Sequence, residues 1–461
     1  MVFSSMVFLC IFLPVVFGLH LVLPGIRAKN VMLLIASLLF YGYGEPVYLL
    51  MLVASSFFNY LCAFLIGKYP ERKKQILCVA VILNLAILVI FKYTGFLVES
   101  FNGITGLSVP VPQIRMPIGI SFFTFQAMSY VIDVYRDVTE SQRNYGKVLL
   151  YISFFPQLIA GPIVKYHDIA EEIDKRSQTL DGVSQGIRRF IAGLGKKVLI
   201  MGAVADTLFG APWGEINIAG AWIGAISYML QIYFDFSGYS DMAIGLGWIF
   251  GFHFKENFNY PYISGSIREF WRRWHISLSG WFQEYLYIPL GGNRKGKRRT
   301  VINKMIVFLC TGIWHGAAVN FLFWGIYHGF FLMLEEYFPW IRSKGGKIKS
   351  FFQHFYALLV VCVGFVFFRA DTMSQGVFWV KEMFTGFHWD KAAMSAALQQ
   401  LTPVYLLTLA GAVAASFPIA ERLRGKKGYE PIAYVCSLAG LVICVLSLAS
   451  GTYNPFIYFR F

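Results

Sequence analysis

Thr311–Phe331 reads TGIWHGAAVNFLFWGIYHGFF. Two histidines, His315 and His328, stand among Trp, Phe, Leu and Ile, and each is followed by glycine. An ionisable side chain within an apolar run is expensive to bury in hydrocarbon, and its presence there points to function. The stretch therefore raises two questions: whether the chain around it lies in a membrane, and what an imidazole does at that depth.

Composition answers the first. Of 461 residues, 57% are hydrophobic, 18% aromatic and only 14% charged. A soluble domain carries roughly a quarter of its residues charged. A mean hydropathy of +0.57 over this length indicates a polytopic membrane protein, whose spans need ~20 mostly apolar residues each. Apolar runs fall near 1–25, 31–43, 47–67, 76–96, 117–134, 148–164, 197–212, 218–235, 238–252, 303–334, 351–368, 403–418 and 431–450. The first run lacks a basic leader and a small-residue cleavage site, so it reads as a first span. The run 148–164 holds Pro156, Gly161 and Pro162 between two basic segments. It reads as a re-entrant or in-plane element, which is tolerated only where protein or a wet cavity surrounds it.

The net charge is +15. Its basic residues cluster in short segments between runs, at Lys68–Lys74, Arg294–Lys304, Arg342–Lys349 and Glu421–Lys427. That is the pattern of cytoplasmic loops, and no nucleic-acid-binding motif accompanies it. The seven cysteines lie in apolar runs without C-x-x-C spacing, so they read as small core residues rather than a metal site or disulfide framework.

Of eight histidines, His20, His167, His253, His354 and His388 stand at boundaries or in polar contexts and read as surface or interfacial side chains. His275, His315 and His328 lie amid Trp, Phe and Gly. On one straight helix, thirteen residues turn through ~220° and rise ~20 Å, so His315 and His328 would face different sides at different depths. The segment REFWRRWHISLSGWFQEYLYIPLGGN (268–293) sets Arg268, Arg272 and Arg273 beside Trp274 and His275. Such arginines suit a phosphate-bearing donor through their planar fork, or snorkel to lipid headgroups. Asp235, Ser237 and Asp241, in FDFSGYSD, are candidates to line a tunnel or to bond across helices. Gln126 and Asp133 share a helix face and read as interhelical glue. Asn320 stands ~140° around a helix from His315, which disfavours direct pairing. Gly182–Gly186 matches G-x-S-x-G, but no strand precedes it, so it is not a nucleophile elbow.

FWRRWHISLS…YLYIPLGGNR, followed about forty residues later by GIWHGA…NFLFWGIYHG, resembles the membrane-bound O-acyltransferase family, and within it the alginate O-acetylation branch. Supporting stretches are PIGISFFTFQAMSYVIDVYR, FFPQLIAGPIV, QIYFDFSGYSDMAIG, FFRAD and the terminal NPFIYFRF. Gln283-Glu284 departs from the branch, which usually has Arg-Asp there.

The resemblance implies an all-α polytopic fold of about 11–13 transmembrane or re-entrant helices around a central tunnel. It implies one integral-membrane domain over residues 1–461 with its catalytic core in 253–335. His315 and His275 would be the catalytic pair, supported by His328, Trp274 and Trp314, with donor contacts from Arg268, Arg272 and Arg273. Acetyl-CoA would be the cytoplasmic donor, and no bound cofactor or metal is implied. The acceptor would be an extracytoplasmic polysaccharide or an SGNH-type acetyltransferase partner, and the location the cell membrane. Rival readings are D-alanyl transfer from a carrier-protein thioester to teichoic acid, acyl transfer to a lipid, and a transporter without chemistry.

Overall fold

The structure is a computed structural model that describes residues 1–199, 203–343, 345–451 and 456–457. Among the described residues every extended element is helical and none is a strand. Among the described residues five helices are long and apolar enough to cross a membrane, and six if the bent pair Lys391–Gln400 and Pro403–Ala415 counts as one span. Two candidate spans, Pro70–Thr105 and Tyr429–Ala449, bury only 17% and 6% of their apolar windows in protein. Rows of exposed Leu, Ile, Val and Phe such as these are unfavourable in water and at home in lipid. The chain is an all-α, multi-pass membrane protein.

Backbone contacts gather the chain into two compact units. The first comprises Met1–Leu194, Tyr239–Glu256 and Leu448–Thr452; the second comprises Gly195–Gly238, Asn257–Ser447 and Tyr453–Phe461. The apolar runs 218–235 and 238–252 join into one helix, Ile218–Ile249, which contributes to both. Ser237 and Gly238 do not interrupt it, because a helix tolerates isolated small residues when its flanks are apolar and packed.

In the first unit, Ile120–Tyr135 is buried on every side from Ile120 to Val134. The neighbouring helices exchange amides: Asn59 Nδ2 donates to Asn84 Oδ1 at 3.1 Å, and Asn84 Nδ2 returns the bond at 2.8 Å. The run 148–164 is broken as its prolines demand: Tyr145–Ser153 is helical, Phe155–Leu158 forms one short turn, and irregular backbone follows. All of 148–166 is buried, so protein surrounds the irregular backbone.

Asp133 pairs with His167 Nδ1 at 2.7 Å, whereas both amide atoms of Gln126 are buried without a partner among the described residues. Gln126 is therefore not the glue its spacing suggested. His20 departs from its interfacial reading too: it is 1% exposed, with Phe250 edge-on at 5.2 Å. The Gly182–Gly186 match lies inside the helix Leu180–Leu199. A Cβ on Gly186 would fall 2.6 Å from the Gly245 carbonyl oxygen, so close packing explains that glycine.

In the second unit the run 303–334 is two helices, Gly296–His315 and Val319–Tyr337. They fold back on each other through glycines. A Cβ on Gly312 would sit 2.4 Å from the Phe321 carbonyl oxygen, and one on Gly325 would sit 2.4 Å from that of Phe308. Without side chains at these points the two backbones approach closely, as small-residue contacts permit in membranes.

Gly325→Val would drive a branched side chain into the Phe308 backbone, at a cost of ~1–3 kcal/mol for overpacking. It should lower the apparent melting temperature of detergent-purified protein by several degrees. Gly18→Val, where nothing lies within 4 Å, should leave it unchanged.

His167 lies in the polar segment beyond the buried broken run. Hydrogen bonds to Asp133 and Asp168 raise its pKa from 6.5 to about 9, against the effect of burial. A raised imidazole pKa stabilises the folded protein fully below about pH 6.5 and loses that contribution as pH climbs through about 9. The melting-temperature advantage of wild type over His167→Gln should therefore shrink between those two pH values.

Candidate active site

The site begins where the Gly296–His315 helix stops. Gly316 and Ala318 are extended, at φ −168°, ψ 157° and φ −152°, ψ 155°, and Val319 opens the returning helix. A Cβ on Gly316 would meet the Phe321 ring at 2.2 Å, so glycine is what lets that ring close over the turn. The reversal overturns the straight-helix geometry expected for the two histidines. His315 lies edge-on to Trp324 with ring centroids 5.1 Å apart, and His328 lies against the same indole at 4.9 Å.

The rings continue on both sides. His315 lies 5.0 Å from Trp314, and Trp314 lies 6.0 Å from His275. His328 lies 5.2 Å from Trp271. The order is His275, Trp314, His315, Trp324, His328, Trp271, and the first and last rings are four residues apart in the chain. Three imidazoles thus alternate with three indoles. All three imidazoles are buried, at 0%, 3% and 1% exposure for His275, His315 and His328. Phe368 packs on His315 at 5.1 Å.

The segment carrying Trp271 and His275 is held by polar groups. Ile267–Arg273 is a short helix capped by Ser266, whose Oγ accepts the Glu269 N–H at 3.1 Å. Glu269 Oε2 accepts the Gly265 N–H at 3.0 Å, a variant of the capping box. From the returning helix, Glu335 adds a second clamp: its carboxylate accepts the Ile267 and Arg268 N–H groups at 2.6 and 3.1 Å. Glu335 stands two turns beyond His328.

His275 itself adopts the left-handed region at φ 44°, costly for a side chain with a Cβ and a mark of a functional site. Asn257 sustains it. Its carbonyl accepts the Ile276 N–H at 2.9 Å. Its Oδ1 accepts Ser277 Oγ–H at 2.8 Å and lies 3.1 Å from His275 Nδ1. An imidazole that donates Nδ1–H to this oxygen presents Nε2 as its basic nitrogen.

Beside the circuit is a cavity of about 410 Å³. Arg268, Arg272 and Lys304 line it, with Ser279, Gln283 and Thr311 among its polar groups and Trp271 in its wall. Glu336 bonds Arg268 closely and takes Lys304 at 2.7 Å, which fixes both cations at the rim. The lining runs along the Gly296–His315 helix from Thr300 to Thr311, and Thr311 is one turn short of His315. A second cavity of about 380 Å³ lies at the helix reversal, lined by Ala318, Asn320, Phe321, Arg369, Ala370, Asp371 and Ile457.

Arg273 does not line the cation-lined cavity and bonds Glu269 at 3.0 Å and the Asn259 carbonyl. Trp274 packs into the core against Phe365 and Phe270. Asp235 pairs with Lys197 at 2.5 Å and accepts the Ile457 N–H at 2.7 Å. Asp241 pairs with Arg189 at 2.9 Å, and Ser237 is buried. Asn320 bonds the carbonyls of Phe367 and Ala370, not His315. Among the described residues no three His, Cys, Asp or Glu side chains form a group able to hold a metal. Of NPFIYFRF, Phe456 and Ile457 alone are described.

A buried imidazole flanked by indoles, one turn from a cation-lined cavity in a membrane protein, suits acyl transfer. The chain belongs to the membrane-bound O-acyltransferase family, whose profile matches residues 120–369, and it is an acyltransferase. It is 39% identical to the probable alginate O-acetylase of Pseudomonas putida over 100% of both chains. It is 36% identical to the peptidoglycan O-acetyltransferase of Helicobacter pylori, over 83% of this chain and 80% of that one. To the teichoic acid D-alanyltransferase of Bacillus subtilis it is 28% identical, over 54% of this chain and 68% of that one.

Asn257→Ala removes the acceptor that orients the His275 ring and its loop. It should lower the acyl-transfer rate by about 10- to 100-fold, the scale expected of a misplaced reacting group, while the purified protein keeps a melting temperature within a few degrees of wild type. Steady-state transfer assays on matched preparations check this.

Proposed function

We propose that the protein takes an acetyl group from acetyl-CoA on the cytoplasmic side of the cell membrane and delivers it for O-acetylation of an extracytoplasmic polysaccharide, with His315 as general base. The delivery is direct or through an SGNH-type acetyltransferase. The observation that carries the reading is the cation-lined cavity that ends one turn from His315. Arg268, Arg272 and Lys304 offer hydrogen bonds and positive charge to the phosphates of the carrier. The apolar lining, from Leu278, Phe282, Val307 and Phe308, accepts the less polar thioester end. The cavity starts near the basic segment Arg294–Lys304, and short basic segments flanking a span stay cytoplasmic. The second cavity, at the helix reversal, gives an acceptor hydroxyl a route from the other end of the same hairpin.

In the reaction, neutral His315 takes the proton of the acceptor hydroxyl as its oxygen bonds the thioester carbonyl carbon. The carbon–sulfur bond then breaks, and the departing CoA sulfur takes the proton from the imidazolium. His275, oriented by Asn257, is placed to orient the acceptor or polarise the carbonyl. An ordinary imidazole is largely neutral at neutral pH, as a base requires. A carbohydrate acceptor agrees with the names of the Pseudomonas and Helicobacter relatives.

The test is release of free CoA from acetyl-CoA by purified protein with a carbohydrate acceptor. His315→Ala should reduce it by about 100- to 10,000-fold, the range for loss of a general base. Arg272→Ala should raise the KM for acetyl-CoA several-fold with little change in kcat. Turnover that survives His315→Ala would remove the base assignment. Wild-type protein that ignores acetyl-CoA but consumes a D-alanyl carrier thioester would replace the donor.

A further inference from the structure

Two obligate hydrogen-bond donors lie between the cavity and His315 with nothing to donate to. The Nε1–H groups of Trp271 and Trp324 are buried and have no acceptor among the described residues. Trp271 is 7% exposed and Trp324 is 1% exposed. An indole N–H is a donor only, and the great majority of buried donors in folded proteins are paired because the unpaired state is costly. Two such groups on touching rings, 5.5 Å apart between centroids, therefore call for a ligand with an acceptor atom. Their position says which part of a ligand that is. Trp271 forms part of the cavity wall, and Trp324 touches both Trp271 and the proposed base, with His315 at 5.1 Å.

We propose that the indole N–H groups of Trp271 and Trp324 receive the carbonyl oxygen of the acyl thioester and stabilise the negative charge that develops on it. The inference rests on the reading above that an acyl-CoA occupies the cavity. As the acceptor oxygen bonds the carbonyl carbon, the π pair of the C=O moves onto oxygen, where the two donors meet it. It returns when the carbon–sulfur bond breaks. The indoles lend hydrogen bonds and exchange no proton. Donors already fixed before the reaction stabilise such charge without reorganising, and in a site closed to water each counts for much more than it would in solution.

The surrounding packing keeps the rings in place. His328 lies 5.2 Å from Trp271 and 4.9 Å from Trp324. A Cβ on Gly364 would come within 2.7 Å of His328 Nε2, so the helix Lys347–Arg369 leaves room for the imidazole only as glycine. The indoles are thus wedged, as an oxyanion site requires.

The experiment replaces each indole N–H while keeping an aromatic ring. Trp271→Phe and Trp324→Phe are the simple variants. Benzothienylalanine at position 271, which exchanges N–H for sulfur in a ring of nearly the same shape, controls for lost volume. For each, kcat and KM for acetyl-CoA are measured, with the affinities of free CoA and of acetonyl-CoA, an uncleavable ketone analogue. The expected result is a fall in kcat of about 100-fold per lost donor with KM for acetyl-CoA within about threefold. Affinity for the ketone should fall at least ~5-fold while that for free CoA stays within about twofold, because only the ketone presents a carbonyl to the missing donor.

A kcat within about threefold of wild type for the benzothienylalanine protein would overturn the proposal. So would an equal loss of affinity for the ketone and for free CoA, which marks a collapsed pocket. If wild type binds neither compound, the donor reading fails and takes the inference with it. If wild type binds both and the variants keep its preference for the ketone, the inference alone fails.

Discussion

The site depends on the close approach of two helix backbones at Gly312 and Gly325. A hydrocarbon environment offers no hydrophobic force to bring helices together, so packing must do it. A Cβ at either position would meet a carbonyl oxygen of the facing helix at 2.4 Å. Removing side chains there lets the helix that ends on His315 turn through Gly316 and return against itself. That return sets His315 and His328 against one indole, Trp324. Spread along one straight helix, the same residues would sit about 20 Å apart in height, and no shared site would exist.

Charge and hydrogen bonding are arranged around this hairpin. The cations gather at the cavity, tied in place by Glu336. The imidazoles are packed among indoles and phenylalanine. The polar backbone of the short Ile267–Arg273 helix is satisfied by Ser266 and Glu335, so the segment bearing Trp271 and His275 can be irregular without exposing unpaired groups. Glu335 joins that segment to the helix of His328, and a single carboxylate thereby links the arginine-bearing cavity wall to the ring circuit.

Much of this was legible in the sequence, for definite reasons. Sustained apolar runs with few charges fixed an all-α membrane protein, because a bilayer admits little else. Pro156, Gly161 and Pro162 announced the broken buried segment. The motifs around His275 and His315 pointed to the family and to two of the rings that meet. Arg268 and Arg272 line the cation-lined cavity, while Arg273, one residue on, turns to Glu269; sequence spacing on a seven-residue helix cannot tell these apart.

The hairpin was missed because periodicity treats an apolar run as one helix, and Gly316 carries a reversal that only its packing against Phe321 reveals. Asn257 and Glu335 were missed because their work is to accept backbone and ring hydrogens from segments 18 and 68 residues away. The signal available was Asn257, one of two asparagines in the aromatic stretch Phe254–Tyr262, and Glu335, two turns beyond His328 on its helix. Gln126 illustrates the reverse error: a polar residue on the expected face whose side-chain amide has no partner among the described residues.

The measurement that bears most directly on the account asks whether the donor sits in the cation-lined cavity. A single cysteine introduced as Thr311→Cys, in a background with the seven native cysteines replaced, places a thiol on the cavity lining one turn from His315. The rate of its modification by a small maleimide is then followed with and without acetyl-CoA. The account predicts that acetyl-CoA slows modification at Thr311→Cys and leaves a cysteine at Gly18, in an open position of the first unit, unaffected. Unchanged modification at Thr311→Cys, in protein that turns over acetyl-CoA under the same conditions, would contradict it.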